Sequence, residues 1–204
     1  MGDFMDFFDL HCDTLTECMD DGDSLLKNER DIDFERGSIF GRWNQVFAVF
    51  VPDSMDDSLV EGYFDSACDF YFDELKKKGD VFPILSSEDV RGHSRGVMLA
   101  MESSRGVGSL ERLEKLYERG LRLITLTWNH KNRAAGGCDE GGGLTDWGRE
   151  LVSKMEKLGI VTDVSHLSDR SFYDLCEFSD APFIASHSDA RAVHNEVRSL
   201  TDEQ

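Results

Sequence analysis

The sequence predicts an α/β fold built on a parallel sheet, either an open doubly wound sheet or a (β/α)8 barrel. Two observations lead there. Six short apolar runs, at residues 4–10, 46–51, 96–101, 121–128, 160–164 and 182–185, are rich in Val, Ile, Leu and Phe and too short for helices. Near-continuous runs of that kind suit strands covered on both faces. Between them lie amphipathic stretches, with Ser or Thr at several starts and Gly just past several ends, the punctuation of helices.

The first run ends in Leu10-His11-Cys12-Asp13, and the acidic stretch holding Asp20, Asp21 and Asp23 reads as a solvated loop. After the second run, residues 56–78 put Leu59, Tyr63, Phe64, Ala67, Phe70, Tyr71 and Leu75 on one helical face, and Gly79 follows. His93, in the polar stretch SSEDVRGHSRG, reads as exposed. Helices follow at 109–119, with Leu110, Leu113, Leu116 and Tyr117 on its apolar face, and at 145–158, with Trp147, Leu151, Val152, Met155 and Leu158. Gly120 and Gly159 then lead directly into the next strands, as αβ turns do. Residues 168–178 carry Phe172, Leu175 and Cys176, and His194 belongs to a short helix capped by Ser188. The first loop, HCDTLTECMDDGD, lacks the GxGxxG of dinucleotide-binding folds. GGCDEGGG at 136–143 reads as a flexible loop and not a phosphate cradle, since no Lys-Ser/Thr follows it. Its Cys138 has no activating base nearby and takes no role.

Composition narrows the function classes. The chain has 204 residues, 40% of them hydrophobic, enough for a sizeable core in one domain. Its formal charge of −19 repels phosphate backbones and anionic lipids, so neither nucleic acid nor a membrane surface is expected as a partner. No run approaches the length of a membrane span. The acidic start MGDFMDFFDLHCD lacks the features of a signal peptide. The five cysteines are scattered and free of CxxC spacing, which fits reduced thiols in the cytoplasm.

The chemistry sits where the apolar runs end. Alternate residues of a strand point the same way, so His11 and Asp13 can share one metal while Cys12 faces the other side. The third run ends at Glu102, the fifth in Asp163-Val164-Ser165-His166 and the sixth at His187. Carboxyl ends of parallel strands are the ligand-binding side of both barrels and open sheets. Any one of these histidines alone would be an ordinary hydrogen-bonded loop residue. Jointly, a His or carboxylate at the end of four strands of six points to a divalent metal such as Zn²⁺. Five donors exceed the need of one tetrahedral ion and suit two ions with a bridging carboxylate.

Several segments resemble the membrane (renal) dipeptidase family of metallopeptidases: DLHCDTL at 9–15, AMES at 100–103, RLITLTWNHKN at 122–132, GLTDWGRELVSKMEKLGIVTDVSHLS at 143–168, APFIASHSDARAV at 181–193 and RSLTDEQ at 198–204. The resemblance implies a (β/α)8 barrel, a binuclear zinc site and hydrolysis of dipeptides, some with a D-residue at the C-terminal position. It makes His11 and Asp13 ligands of one zinc, His166 and His187 ligands of the second, and Glu102 the bridge. Arg198 matches the arginine that holds the substrate carboxylate, and a homodimer is implied. Where some members carry a His that stabilises the tetrahedral intermediate, this chain has Trp128. The neighbouring Asn129 and Trp128 are then candidates for substrate contact, and His130 is the candidate to replace the missing His.

The family's acid/base Asp lies on a later strand, and such a barrel runs to about 250 residues. Six strands in place of eight make residues 1–204 a single incomplete barrel domain lacking its last two β/α units, and catalytically incomplete. Two other functions fit the same residues: a two-metal barrel amidohydrolase acting on cyclic amides, and a non-catalytic binding fragment.

Overall fold

The computed structural model describes residues 5–204, so Phe4, where the first apolar run begins, lies outside the described residues. Along the chain come β1 (Asp6–Asp9), α1 (Thr14–Asp21), α2 (Phe34–Gly37), β2 (Arg42–Phe50), α3 (Asp57–Lys77), β3 (Phe82–Pro83) and α4 (Asp89–Gly92). Then follow β4 (Arg95–Glu102), a 3-10 turn (Ser104–Val107), α5 (Leu110–Glu118), β5 (Leu121–Thr125), α6 (Asp146–Leu158), β6 (Val161–Asp163) and α7 (Asp169–Phe178). Every pairing between named strands is parallel, in the order β1-β2-β4-β5-β6. The short β3 touches only Gly96 and Val97, on the edge of β4 that β5 joins from Leu99 onward.

The helix punctuation works as the sequence predicts. Side chains of Ser109, Thr145 and Ser168 accept backbone N–H bonds from Arg112, Gly148 and Ser171, and Asp56 does the same for Ser58 at the start of α3. Gly120 (φ 105°) and Gly159 (φ 79°) adopt left-handed turns into β5 and β6, a region costly for residues with a Cβ. Gly79 plays no such part, because α3 closes on an extended Lys78.

The period-two alternation of the strands sorts their side chains onto two faces. Trp43, Phe47, Val49, Val97, Leu99, Met101, Leu121 and Ile124 join the helices in the main core. Val46, Ala48, Ala100 and Leu123 form a second buried cluster on the other face, with Leu10, Met98, Val161 and Ile184 partly buried against it. The sheet curls around this second cluster. The rings of His11, just beyond β1, and His187, beyond Ile184 at the other end of the sheet, stack 3.8 Å apart.

Several expectations need correction. Asp20 and Asp21 lie in the last turn of α1 and not in a loop. The sixth apolar run is no strand of its own: only Ile184 pairs, in parallel, with Asp163. Leu59 is 61% exposed, because the buried stripe of α3 starts one position later, at Val60, and continues through Phe64, Ala67 and Tyr71. Cys176 is exposed too, since α7 buries Ser171, Phe172, Asp174 and Leu175. His194 lies in a turn and not in a helix.

The glycine-rich loop also departs from expectation, being held at several points. Gly136 N–H lies within reach of Ser171 Oγ, Gly136 O accepts from Ser168 N–H, and Leu144 N–H donates to the buried Asp174. A Cβ at Gly137 would come within 2.4 Å of the Asn129 carbonyl oxygen, so only glycine fits that approach. No helix among the described residues is long and apolar enough to cross a membrane.

Candidate metal centre

A row of register partners crosses the carboxyl ends of the strands. Phe50 of β2 stands beside Glu102 of β4, Glu102 beside Thr125 of β5, and Thr125 beside Asp163 of β6. Glu102 is thus carried to the middle of the sheet by strand register alone. His11 arrives differently. Asp9 pairs with Gln45, which would set Cys12 beside Ala48; instead Cys12 donates to Val46 O and accepts from Ala48 N–H, and so sits beside Phe47. One extra residue has been taken up between Asp9 and Cys12, a bulge. It sends the Cys12 thiol toward the main core and leaves the His11 ring on the Glu102 side.

The two other histidines come from turns after β6 and Ile184. Ser103, directly after Glu102, and His166 are the only non-glycine residues with positive φ among the described residues, at 75° and 66°. Such conformations cost about 1–3 kcal/mol each and persist where the surroundings impose them. The His166 carbonyl accepts from Thr127 Oγ1 (3.2 Å) and from Cys138 N–H (2.9 Å), which pins the strained residue from two loops.

These elements bring together all five residues proposed from the sequence. His166 Nε2 lies 3.1 Å from Glu102 Oε1 and 2.8 Å from His187 Nε2, while His187 Nε2 is 3.5 Å from the same carboxylate oxygen. His11 Nε2 lies 3.6 Å from Glu102 Oε2 and 3.4 Å from Asp13 Oδ1. Three overlapping sets have donor atoms within 4.8 Å of one another: His11–Asp13–Glu102, Glu102–His166–His187 and His11–Asp163–His187.

Burial alone would raise the Glu102 pKa, but wherever the adjoining imidazoles of His166, His187 and His11 carry a proton toward it they outweigh burial and lower it. Burial lowers His11, yet Asp13 and Glu102 raise it on balance. In His166 burial prevails over Glu102, with Arg198 and His187 pulling the same way, and the ring is lowered.

As a hydrogen-bonded network the cluster is incomplete. Two Nε2 atoms 2.8 Å apart share at most one proton, and the buried atoms His11 Nδ1 and Asp13 Oδ1 have no hydrogen-bond partner among the described residues. Carboxylate and imidazole are the donor types of Zn²⁺ and similar ions, so the residues fit a divalent centre.

The four flanking residues proposed from the sequence take different positions. Arg198 reaches the centre, donating from Nη2 to the His187 carbonyl at 2.8 Å. Trp128 packs edge-on to Phe50, with ring centroids 5.1 Å apart, and 6.3 Å from the His166 ring. The amide oxygen of Asn129 lies 2.7 Å from His166 Nδ1. His130 turns away to pair with Asp53 (2.6 Å) at the edge of a cleft of about 680 Å³ that contains none of the five clustered residues. The Asp53 hydrogen bond raises its pKa.

Sequence reasoning missed Asp163 and Ser186. Asp163 is fully buried and takes four donors: the N–H groups of Ser165 and Ser186 at 3.0 Å, Thr125 Oγ1 at 2.8 Å and Ser186 Oγ at 2.6 Å. Ser186 Oγ in turn lies 2.7 Å from His187 Nδ1. The available signal was a carboxylate at a strand end three residues before His166, and a hydroxyl directly before His187.

Comparison with known proteins agrees with this architecture. A metallopeptidase described as dipeptidase AC of family M19 superposes with a TM-score of 0.88 at 24% identity, over 98% of this chain and 68% of that one. A metallopeptidase from Rhodobacter sphaeroides, liganded with a phosphinate mimic of the dipeptide L-Ala-D-Ala, gives 0.86 at 22% identity over 98% and 70%. These likenesses make the sheet part of a (β/α) barrel fold. An uncharacterized protein encoded in the PQQ-III 3′ region of Acinetobacter calcoaceticus is 31% identical over 127 residues, 57% of this chain and 40% of its own length. A second curated relative, from Klebsiella pneumoniae, is matched over 49% of its length, so the chain spans less than half of these relatives. The membrane dipeptidase model, peptidase family M19, matches residues 3–204, and the chain belongs to that family.

Proposed function

We propose that the chain is the metal-binding part of a zinc dipeptidase, with His11 and Asp13 on one Zn²⁺, His166 and His187 on a second, and Glu102 bridging the two. The carrying observation is the convergence of three imidazoles and two carboxylates on one spot, with two Nε2 atoms 2.8 Å apart and buried polar atoms left unpartnered. A pair of divalent ions supplies Lewis-acid polarisation of a peptide carbonyl and a lowered pKa for a water.

The chain's own residues do the rest. Arg198, already anchored on the His187 carbonyl, offers its remaining N–H groups to the free carboxylate of a dipeptide, which restricts substrates to short peptides. Trp128 and Asn129 border the position of that substrate, and Phe50 backs Trp128. His130 is the candidate hydrogen-bond donor to the developing oxyanion, once released from Asp53. The ligand mimicking L-Ala-D-Ala in the Rhodobacter enzyme supports a substrate with a D-residue at its C-terminal position.

Residues 1–204 are read as part of one barrel domain, with β1, β2, β4, β5 and β6 as consecutive barrel strands. A homodimer rests on the family likeness alone. The five unbridged cysteines support a reducing, cytoplasmic setting.

The test is zinc titration of metal-stripped protein, followed by a panel of L,L and L,D dipeptides. Two zinc ions per chain, reduced in affinity by Glu102→Gln, are expected. Absence of zinc binding, or binding indifferent to Glu102, overturns the reading.

A further inference from the structure

We infer that Ser186, backed by Asp163, and Asn129 are positioning residues that hold the protons of His187 and His166 on Nδ1 and turn both bare Nε2 atoms to the centre; this rests on the metal reading above only for what the Nε2 atoms meet.

The argument is a count of hydrogens. Asp163 is fully buried, and four donors converge on its two oxygens, which suits an acceptor-only carboxylate. Ser186 has a single hydroxyl hydrogen. Its 2.6 Å contact with Asp163 Oδ2 is shorter than the one to Ser165 Oγ (3.3 Å), so that hydrogen goes to the carboxylate. Toward His187 Nδ1, 2.7 Å away, Ser186 Oγ can then only accept. The proton therefore sits on Nδ1, and Nε2 presents a lone pair.

His166 reaches the same state by another route. The Asn129 amide oxygen, which can only accept, faces His166 Nδ1 at 2.7 Å. Nδ1 must donate. The backbone of His166 is locked as well, with its strained φ and a carbonyl held by Thr127 and Cys138. Two fixed rings thus aim lone pairs at each other across 2.8 Å, with Glu102 Oε1 3.1 and 3.5 Å from them. That arrangement is unfavourable by itself and favourable around a cation. Residues that set a ligand's tautomer typically change metal affinity by about 10–100-fold when removed.

The experiment uses the 204-residue chain with Ser186→Ala and Asn129→Leu, and Ser186→Thr and Asn129→Asp as conservative partners. Long-range ¹⁵N–¹H NMR of the metal-free protein at pH 8 reads the tautomers directly. Nδ1–H is expected for both rings in the parent and a mixture for the affected ring in each disrupting variant, with restoration in the conservative ones. Competition with a chromophoric chelator should show zinc affinity falling about 10–100-fold in the disrupting variants and recovering in the conservative ones. Nε2–H rings in the parent protein overturn the inference, and so does a zinc affinity unchanged within twofold in both disrupting variants. If the parent binds no zinc while its rings are Nδ1–H, the metal reading falls and the positioning stands. If Ser186→Ala does not fold, the Asn129 pair and Ser186→Thr still decide.

Discussion

Arg198 donates from Nη2 to the backbone carbonyl of His187, 2.8 Å away. One arm of the guanidinium fork is therefore committed to the loop that carries a proposed zinc ligand. Replacing Arg198 with Lys removes the fork while keeping the charge. Binding of a phosphinate dipeptide mimic, measured by calorimetry, is expected to weaken by about 1.5–3 kcal/mol, the range for hydrogen bonds to charged groups. Because the anchor on His187 also goes, zinc affinity should fall by a smaller factor in the same variant.

The His130–Asp53 pair has a pH dependence with a definite sign. Its hydrogen bond raises the imidazole pKa, so the pairing is fully present below the ordinary histidine range and is lost as pH rises through the raised value. Asp53→Asn should lower the His130 midpoint toward ~6.5, seen by NMR titration of its ring protons. A midpoint that stays put would remove Asp53 as the cause.

Gly137 is the point where the glycine-rich loop meets the strand-end turn. A Cβ there would lie 2.4 Å from the Asn129 carbonyl oxygen and 2.6 Å from that of His130, both backbone atoms with little room to yield. Gly137→Ala is expected to destabilise the fold by about 1–3 kcal/mol in urea denaturation, as overpacking does. The displaced Asn129 should also weaken zinc binding.

Zinc should stabilise the folded chain by mass action, since the donors come together only on folding. At a free zinc concentration 100 times Kd, one site adds about 2.7 kcal/mol to the unfolding free energy. Adding a chelator in excess should remove that increment, and Glu102→Gln should largely abolish it. Denaturation curves with and without zinc provide the check.

Much of this was legible in the sequence because period and punctuation are local. The runs around Val46 and Leu99 fall in strands, and Ser109, Thr145 and Ser168 cap the helices their positions announce. His11, Glu102, His166 and His187 could be singled out because each follows an apolar run. What stayed hidden depends on long-range register. Leu59 looked apolar enough to be inside, but only packing decides which flank of α3 faces the sheet. The run at 182–185 has strand composition, yet pairing in the described sheet reaches only Ile184. The strand-end position of Asp163 could not reveal its role, because its partners Thr125 and Ser186 come from separate segments of the chain.

The stacking of His11 on His187 joins the two ends of the sheet. The cluster is therefore a gauge of curvature. If the sheet flattened, the first histidine and the last would separate while each strand kept its own hydrogen bonds. An ion gripped by both ends would act as a clasp, and its departure would be felt first as slack in the bend of the sheet and only afterwards within any strand.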